Sequence, residues 1–283
     1  MATIAVTGAT GQLGRLVVES LQERGAHVVA VVRDPAKAAE VLGSEVEVRT
    51  ASYDDRAALE VALAGVDTLV LISGNEVGRR VQQHTNAVEA AEAAGAARVV
   101  YTSAPHADTT TLALAPEHKA TEEAIAASGL AWTFLRNNWY HENYAAQVGQ
   151  AAASGVLLGS AHDGRTASAT RRDYAEAAAA VAVSEGHENR VYELAGDVAW
   201  TMPELAAAIT EVTGRPVEYR DLSTAEHVAA LTAAGLDEGT AEFVATLDAG
   251  TAEGALADAS GDLRRLIGRP TTPLVEGLRA AVA

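Results

Sequence analysis

Short runs of aliphatic and β-branched residues alternate with Ala-rich stretches of helical period through the first half of the chain. The pattern predicts strands at residues 4–7, 27–33, 46–49, 68–73, 98–103 and 132–136. Between them it predicts helices at 13–24, 35–42, 55–64, 79–94 (closed by Gly95) and 117–128. The strands are almost continuously apolar, as strands are when helices cover both faces of a parallel sheet. Strand–helix alternation with short connections and right-handed crossovers then predicts a doubly wound, Rossmann-type α/β sheet.

After about residue 140 the rhythm changes. Helical stretches are expected at 143–154, 172–184 and 201–213 (closed by Gly214), with short strands at 190–194 and 217–220. Residues 224–262 are rich in Ala, Gly and acids and read as helix with breaks. No Ser- or Pro-rich linker separates the halves, and no internal repeat is visible. The expected division is a Rossmann domain over 1–140 and a smaller, mostly helical α/β substrate domain over 141–283 packed directly on it, the chain being free to cross between them.

Composition narrows the chemistry. The chain has 283 residues, 48% hydrophobic and 21% charged, which suits a globular protein with a substantial core. It has no cysteine, excluding disulfides, thiolate metal sites and a cysteine nucleophile. No apolar stretch is long enough to span a bilayer. The N-terminus lacks a basic segment and carries a glycine loop that signal cleavage would destroy, so a cytoplasmic protein is expected. The net charge of −17 argues against nucleic acid and anionic lipid as partners. The lysines are Lys37 and Lys119 alone.

The chemistry-bearing motif opens the chain: Val6-Thr7-Gly8-Ala9-Thr10-Gly11-Gln12-Leu13-Gly14, between a predicted strand and a predicted helix. A tight strand-to-helix turn tolerates positive φ only at glycine, and a pyrophosphate needs bare backbone and a helix N-terminus beside it. A bound dinucleotide at Gly8, Ala9, Thr10, Gly11, Gln12 and Leu13 is therefore expected. The second strand ends in Val32-Arg33-Asp34. An acid at this tip serves the ribose of NAD, whereas an arginine accommodates the 2′-phosphate of NADP. Arg33, with Lys37 one turn later, favours NADPH, while Asp34 is close enough to approach the same ribose.

These residues, together with Leu71-Ile72-Ser73-Gly74-Asn75-Glu76-Val77-Gly78, Tyr101-Thr102-Ser103, His106-Ala107-Asp108-Thr109, Asn137-Asn138-Trp139-Tyr140, Glu142-Asn143-Tyr144, Ala167-Ser168-Ala169-Thr170-Arg171 and Leu266-Ile267-Gly268-Arg269-Pro270, resemble the NmrA-like atypical short-chain dehydrogenase/reductases. Within that group the resemblance is to bacterial NAD(P)H:quinone oxidoreductases, and it covers nearly the whole chain. It implies that Ser73, Gly74, Asn75, Glu76 and Val77 lie beside the cofactor's ribose and phosphates. It also implies that Asn138, Trp139, Tyr140, His141, Glu142 and Asn143 line the nicotinamide and substrate pocket. Both loops leave the carboxyl ends of strands, where open α/β sheets bind ligands. Asn138 can hydrogen-bond a carboxamide or a quinone oxygen; Trp139 and Tyr140 can stack on a flat ring or pack in the core. The family usually carries an aspartate before Tyr53, where this chain has Ser52.

Conventional short-chain dehydrogenases pair Tyr-x-x-x-Lys so that the ammonium lowers the phenol's pKa. No tyrosine here has lysine four residues later, and the expected position falls near Glu117-His118-Lys119. Ser103 alone occupies the place of the usual polar helper. Quinone reduction avoids this difficulty, because it asks mainly that two flat rings be held together. Tyr140, His141, His106 and Lys119 are the proton-donor candidates. No G-x-S-x-G or H-E-x-x-H pattern supports a hydrolase or a metal site. The expected function is NADPH-dependent hydride transfer to a small-molecule quinone by a monomer or homodimer. The competing readings are a non-catalytic NADP(H) sensor of NmrA type and a reductase of another conjugated substrate, such as an aromatic double bond or an imine.

Overall fold

The computed structural model describes residues 2–283. Strand β1 (Thr3–Thr7) leads into α1 (Gln12–Glu23), then come β2 (His27–Val32), α2 (Pro35–Leu42), β3 (Glu47–Thr50), α3 (Arg56–Ala62), β4 (Thr68–Leu71) and α4 (Arg80–Ala93). They are followed by β5 (Arg98–Ser103), α5 (Ala115–Ala126) and β6 (Ala131–Asn137). Helix α5 starts earlier than the apolar period alone predicts because Pro116 sits in its first turn, where a missing amide costs nothing.

A 3₁₀ turn (His141–Tyr144) opens the second half, with α6 (Ala145–Ser154), β7 (Val156–Gly159), β8 (Arg165–Thr166), α7 (Arg171–Val183) and β9 (Arg190–Leu194) after it. The chain closes through β10 (Trp200–Thr201), α8 (Met202–Thr213), β11 (Glu218–Asp221), α9 (Thr224–Ala233), α10 (Glu238–Ala252), α11 (Asp262–Ile267) and α12 (Leu274–Val282).

The main sheet has seven strands in the order β3-β2-β1-β4-β5-β6-β9, every pairing parallel. The reversal between β1 and β4 is the Rossmann switch point, and it opens a crevice at the carboxyl edge. Side chains alternate across the sheet as a pleated strand requires. Ile4, Val6 and Val100 join Val17, Leu21 and Tyr174 in one buried layer. Ala5, Leu69 and Tyr101 join Val88, Ile125 and Phe134 in the other.

Strand β9 returns to the main sheet beside β6, in register from Thr133↔Arg190 to Asn137↔Leu194, and Tyr174 and Val181 of α7 pack in the same layer as α1. Helices α1 and α7 both begin at the carboxyl edge of the sheet. The remaining elements close a smaller core around Tyr144, Val148, Leu157, Trp200, Leu205 and Leu278. No described helix is long and apolar enough to cross a membrane.

Candidate functional site

The glycine loop sets the crevice. Gly8 has φ +60°, and its carbonyl accepts from the Gly11 amide at 2.9 Å. A Cβ on Gly14 would lie 2.2 Å from the Gly8 carbonyl oxygen, so only glycine lets α1 approach this closely. Gly11 caps α1 without a side-chain acceptor, leaving the first-turn amides to a ligand. The residues present fit a dinucleotide's pyrophosphate.

A cavity of about 530 Å³ runs from this loop along the carboxyl edge. Of the residues expected at the cofactor, Gly8, Thr10, Gly11, Gln12, Leu13, Arg33, Ser73, Gly74, Asn75 and Glu76 line it. Ala9 is fully buried beneath the loop, and Val77 faces solvent with 67% of its surface exposed. Neither side chain reaches the cavity.

At the tip of β2, Asp34 Oδ1 accepts from the amides of Ala36 at 2.9 Å and Lys37 at 3.2 Å, capping α2. That cap occupies Oδ1, while Asp34 also lines the cavity beside Arg33. The Arg33 guanidinium lies 3.5 Å from Glu76 Oε1, while Glu76 Oε2 accepts from Arg79 at 3.0 Å and Gln83 at 3.2 Å. A carboxylate thus stands among the groups that a 2′-phosphate would seek. The Tyr53 hydroxyl lies 2.6 Å from Thr7 Oγ1 and 2.8 Å from the Ile72 carbonyl. Tyr53 thus ties the ends of β1 and β4 together at the cavity wall, and burial pushes its pKa well above the usual phenol range.

The loop after β4 is held from below. The Gly74 amide donates to His84 Nε2 at 2.9 Å, and Arg80 Nε donates to the Gly74 carbonyl at 2.7 Å. Glu117 accepts from Arg80 at 2.8 Å and from the Gly78 amide at 2.7 Å. An amide donor on Nε2 makes His84 neutral, with its proton on Nδ1 facing Thr121 Oγ1 at 3.1 Å. Burial, reinforced by the Arg80 charge, pushes the His84 pKa down to about 3. No local motif in the sequence marks Arg80, His84, Glu117 or Thr121, because the register of α4 and α5 on the sheet brings them together.

The residues after β6 divide sharply. Tyr140 lines the cavity. Asn138 is turned inward, its Nδ2 donating to the Leu256 carbonyl at 3.1 Å and its Oδ1 accepting from the Trp139 amide at 2.6 Å. Trp139 packs against the smaller core, the alternative the sequence left open. His141 is buried between Ser168 Oγ at 2.7 Å and the Thr272 carbonyl at 3.1 Å, and burial lowers its pKa. It braces the two halves of the chain and does not line the cavity. Nor do the other proton-donor candidates: Lys119 is exposed on α5, and His106 is engaged with Glu193 at 3.5 Å and Asp258 at 3.3 Å. Tyr140 is the donor candidate at the cavity. Burial raises its pKa, offset by a 3.4 Å hydrogen bond from Asn137 Nδ2 and by the charge of Arg171.

Arg171, part of a stretch that carries the family resemblance but with no role implied there, also lines the cavity. Its guanidinium carbon lies 4.7 Å from the centroid of the Tyr140 ring. Asn143 Oδ1 accepts from it at 2.8 Å, and Glu142 accepts from its backbone amide at 2.9 Å. Glu142 and Asn143 therefore meet the site through Arg171. At the strand ends beside this region, Ser103 Oγ and Asn137 Oδ1 are buried without a hydrogen-bond partner.

A family model described as NmrA-like matches residues 1–250. The chain belongs to the NmrA-like family. Among its relatives, quinone oxidoreductase 2 of Escherichia coli (strain K12) is 51% identical over 277 residues, covering 97% of each chain. The crystal structure of an NADPH-dependent quinone oxidoreductase from Escherichia coli, complexed with NADPH, superposes with a TM-score of 0.94 at 50% identity, covering 99% of this chain and 100% of that one. The Citrobacter sp. triphenylmethane reductase complexed with NADP(H) superposes with a TM-score of 0.93 at 38% identity, covering 98% and 99% of the two chains.

Proposed function

We propose that this NmrA-like protein is an NADPH-dependent oxidoreductase that reduces quinones. The observation that carries the reading is one cavity joining the glycine loop, Arg33 and Tyr140, in a chain half identical to a quinone oxidoreductase along nearly its whole length. The free first-turn amides of α1 suit a pyrophosphate, and the charges of Arg33 and Lys37 suit a 2′-phosphate. Bound NADPH would supply the two electrons, as hydride, and the protein's work is to hold a flat acceptor against it.

Tyr140 supports that task in two ways. Its ring offers a flat wall, and its phenol, kept protonated by burial, can donate a hydrogen bond to an acceptor oxygen. The absence of a lysine partner is tolerable, because the oxyanion of a reduced quinone is a weak base that needs little help to take a proton. A non-catalytic sensor would share the cofactor cradle, but the near-identical coverage of a named oxidoreductase favours catalysis.

Purified protein mixed with NADPH and a benzoquinone, followed at the nicotinamide absorbance, tests the reading. Saturable consumption in both substrates is expected. NADPH that binds but is not consumed with any of several quinones would return the sensor as the better account.

A further inference from the structure

We propose that Arg171 is a cofactor-binding residue that grips the nicotinamide-side phosphate of the bound dinucleotide from the far wall of the cavity. The inference rests on the NADPH reading above and deepens it.

Its first support is position. Arg171 is the first residue of α7, a helix that packs beside α1 in the same buried layer. The two helices start at the same edge of the sheet, and Arg171 lines one cavity with Gly11, Gln12 and Leu13. A pyrophosphate resting on the α1 amides would lie between that helix and the guanidinium.

Its second support is charge. The chain carries a net charge of −17, so a polyanionic ligand needs local cations. Among the described residues, the cations lining the cavity are Arg33, Lys37 and Arg171. Arg33 and Lys37 stand at the β2–α2 corner, on the adenosine side of the switch point. Arg171 stands on the opposite side, against the residues that follow β6. Without it the nicotinamide half of the cavity would hold no positive side chain.

The third support is how the side chain is held. A guanidinium has five N–H donors, yet the Arg171 side chain makes one hydrogen bond within the protein, to Asn143 at 2.8 Å. Glu142 lies closer to the Arg171 amide, at 2.9 Å, than to its guanidinium, at 3.7 Å, so its carboxylate serves chiefly the start of α7. The side chain is only 15% exposed and lies over the Tyr140 ring. Tyr140 and Asn143 fix the plane of a largely desolvated cation while leaving most of its donors unused. Such a group suits bidentate binding of a phosphate.

Titration of the purified protein with NADPH, NADH and 2′,5′-ADP tests this. The last ligand carries the adenosine phosphates but lacks the nicotinamide-side phosphate. Arg171→Ala should raise Kd for NADPH and NADH alike by about tenfold or more, the loss expected for a charge-assisted hydrogen bond. It should leave 2′,5′-ADP within about twofold, a split that general loss of structure would not give. Arg171→Lys should fall between, since it keeps the charge but not the fork. Arg171→Gln, which can still donate to Asn143, gives the same readout if the alanine variant does not fold. An unchanged Kd for NADPH, or a loss for 2′,5′-ADP equal to that for NADPH, would overturn the assignment. Failure of the unmodified protein to bind NADPH would instead overturn the cofactor reading, and the first titration shows it separately.

Discussion

The Gly74 amide donates to Nε2 of His84 at 2.9 Å, and this contact fixes both the tautomer of a buried histidine and the path of the loop above it. Because His84 must be neutral to accept, its proton affinity is written into the geometry of the loop. Its folded pKa of about 3 lies below the ordinary value of 6.5. The folded state therefore binds fewer protons than the unfolded chain between those values, and stability is lost as pH falls below about 6.5. Buried His118, also near 3, acts in the same direction. Thermal unfolding measured across this range should show falling stability towards acid, with a shallower slope in His84→Asn. An identical slope would show that His84 does not contribute.

Cofactor preference should reside in the contest between Arg33 and Glu76. Arg33→Ala is expected to weaken NADPH by about tenfold or more while changing NADH little, as removal of a phosphate partner should. Glu76→Gln removes the carboxylate 3.5 Å from Arg33 and should strengthen NADPH relative to NADH. Kd values for both nucleotides decide each case, and equal effects on the two would contradict the assignment.

Gly14→Ala should damage the fold and the cradle together. Its Cβ would meet the Gly8 carbonyl at 2.2 Å, a contact relieved only by moving backbone. Overpacking of this kind typically costs about 1–3 kcal/mol. Denaturant unfolding should register that loss, and NADPH affinity should fall with it. A variant with the stability and affinity of the parent would show that α1 does not need this approach.

Tyr140→Phe separates the ring from the phenol. The ring and its contact with Arg171 survive, so NADPH affinity should stay within about twofold, while kcat falls by less than about tenfold because water can still supply the proton. His141→Ala should act differently. It removes a buried residue bonded to Ser168 and Thr272, costing about 1–3 kcal/mol of stability without moving the pH profile of turnover. A shifted pH profile would restore His141 as a proton carrier.

The fold was legible because its signals are local. Apolar runs such as Val28–Val32 and Val99–Tyr101 leave no polar face and demand a sheet covered on both sides. The glycine cradle was legible too, since Gly8 and Gly14 meet a backbone demand that no other residue satisfies. Side-chain direction was not. Residues 138–143 form one sequence motif, yet Tyr140 turns to the cavity while Asn138 and His141 turn into the core. Asn138 is held inward by the Leu256 carbonyl and His141 by Ser168 and Thr272, partners distant in the chain that sequence spacing does not encode. Arg171, named only within a family stretch, and His84 had roles that were not legible, for a different reason. Each reaches the site from a helix whose placement depends on the packing of whole layers.

The most direct measurement is a single turnover. Protein carrying one equivalent of NADPH is mixed rapidly with excess benzoquinone, and the nicotinamide absorbance is followed together with the product. The account predicts loss of that absorbance in one phase that saturates with quinone, with one hydroquinone formed for each NADPH consumed. Bound NADPH that persists unchanged while the quinone goes unreduced would contradict it.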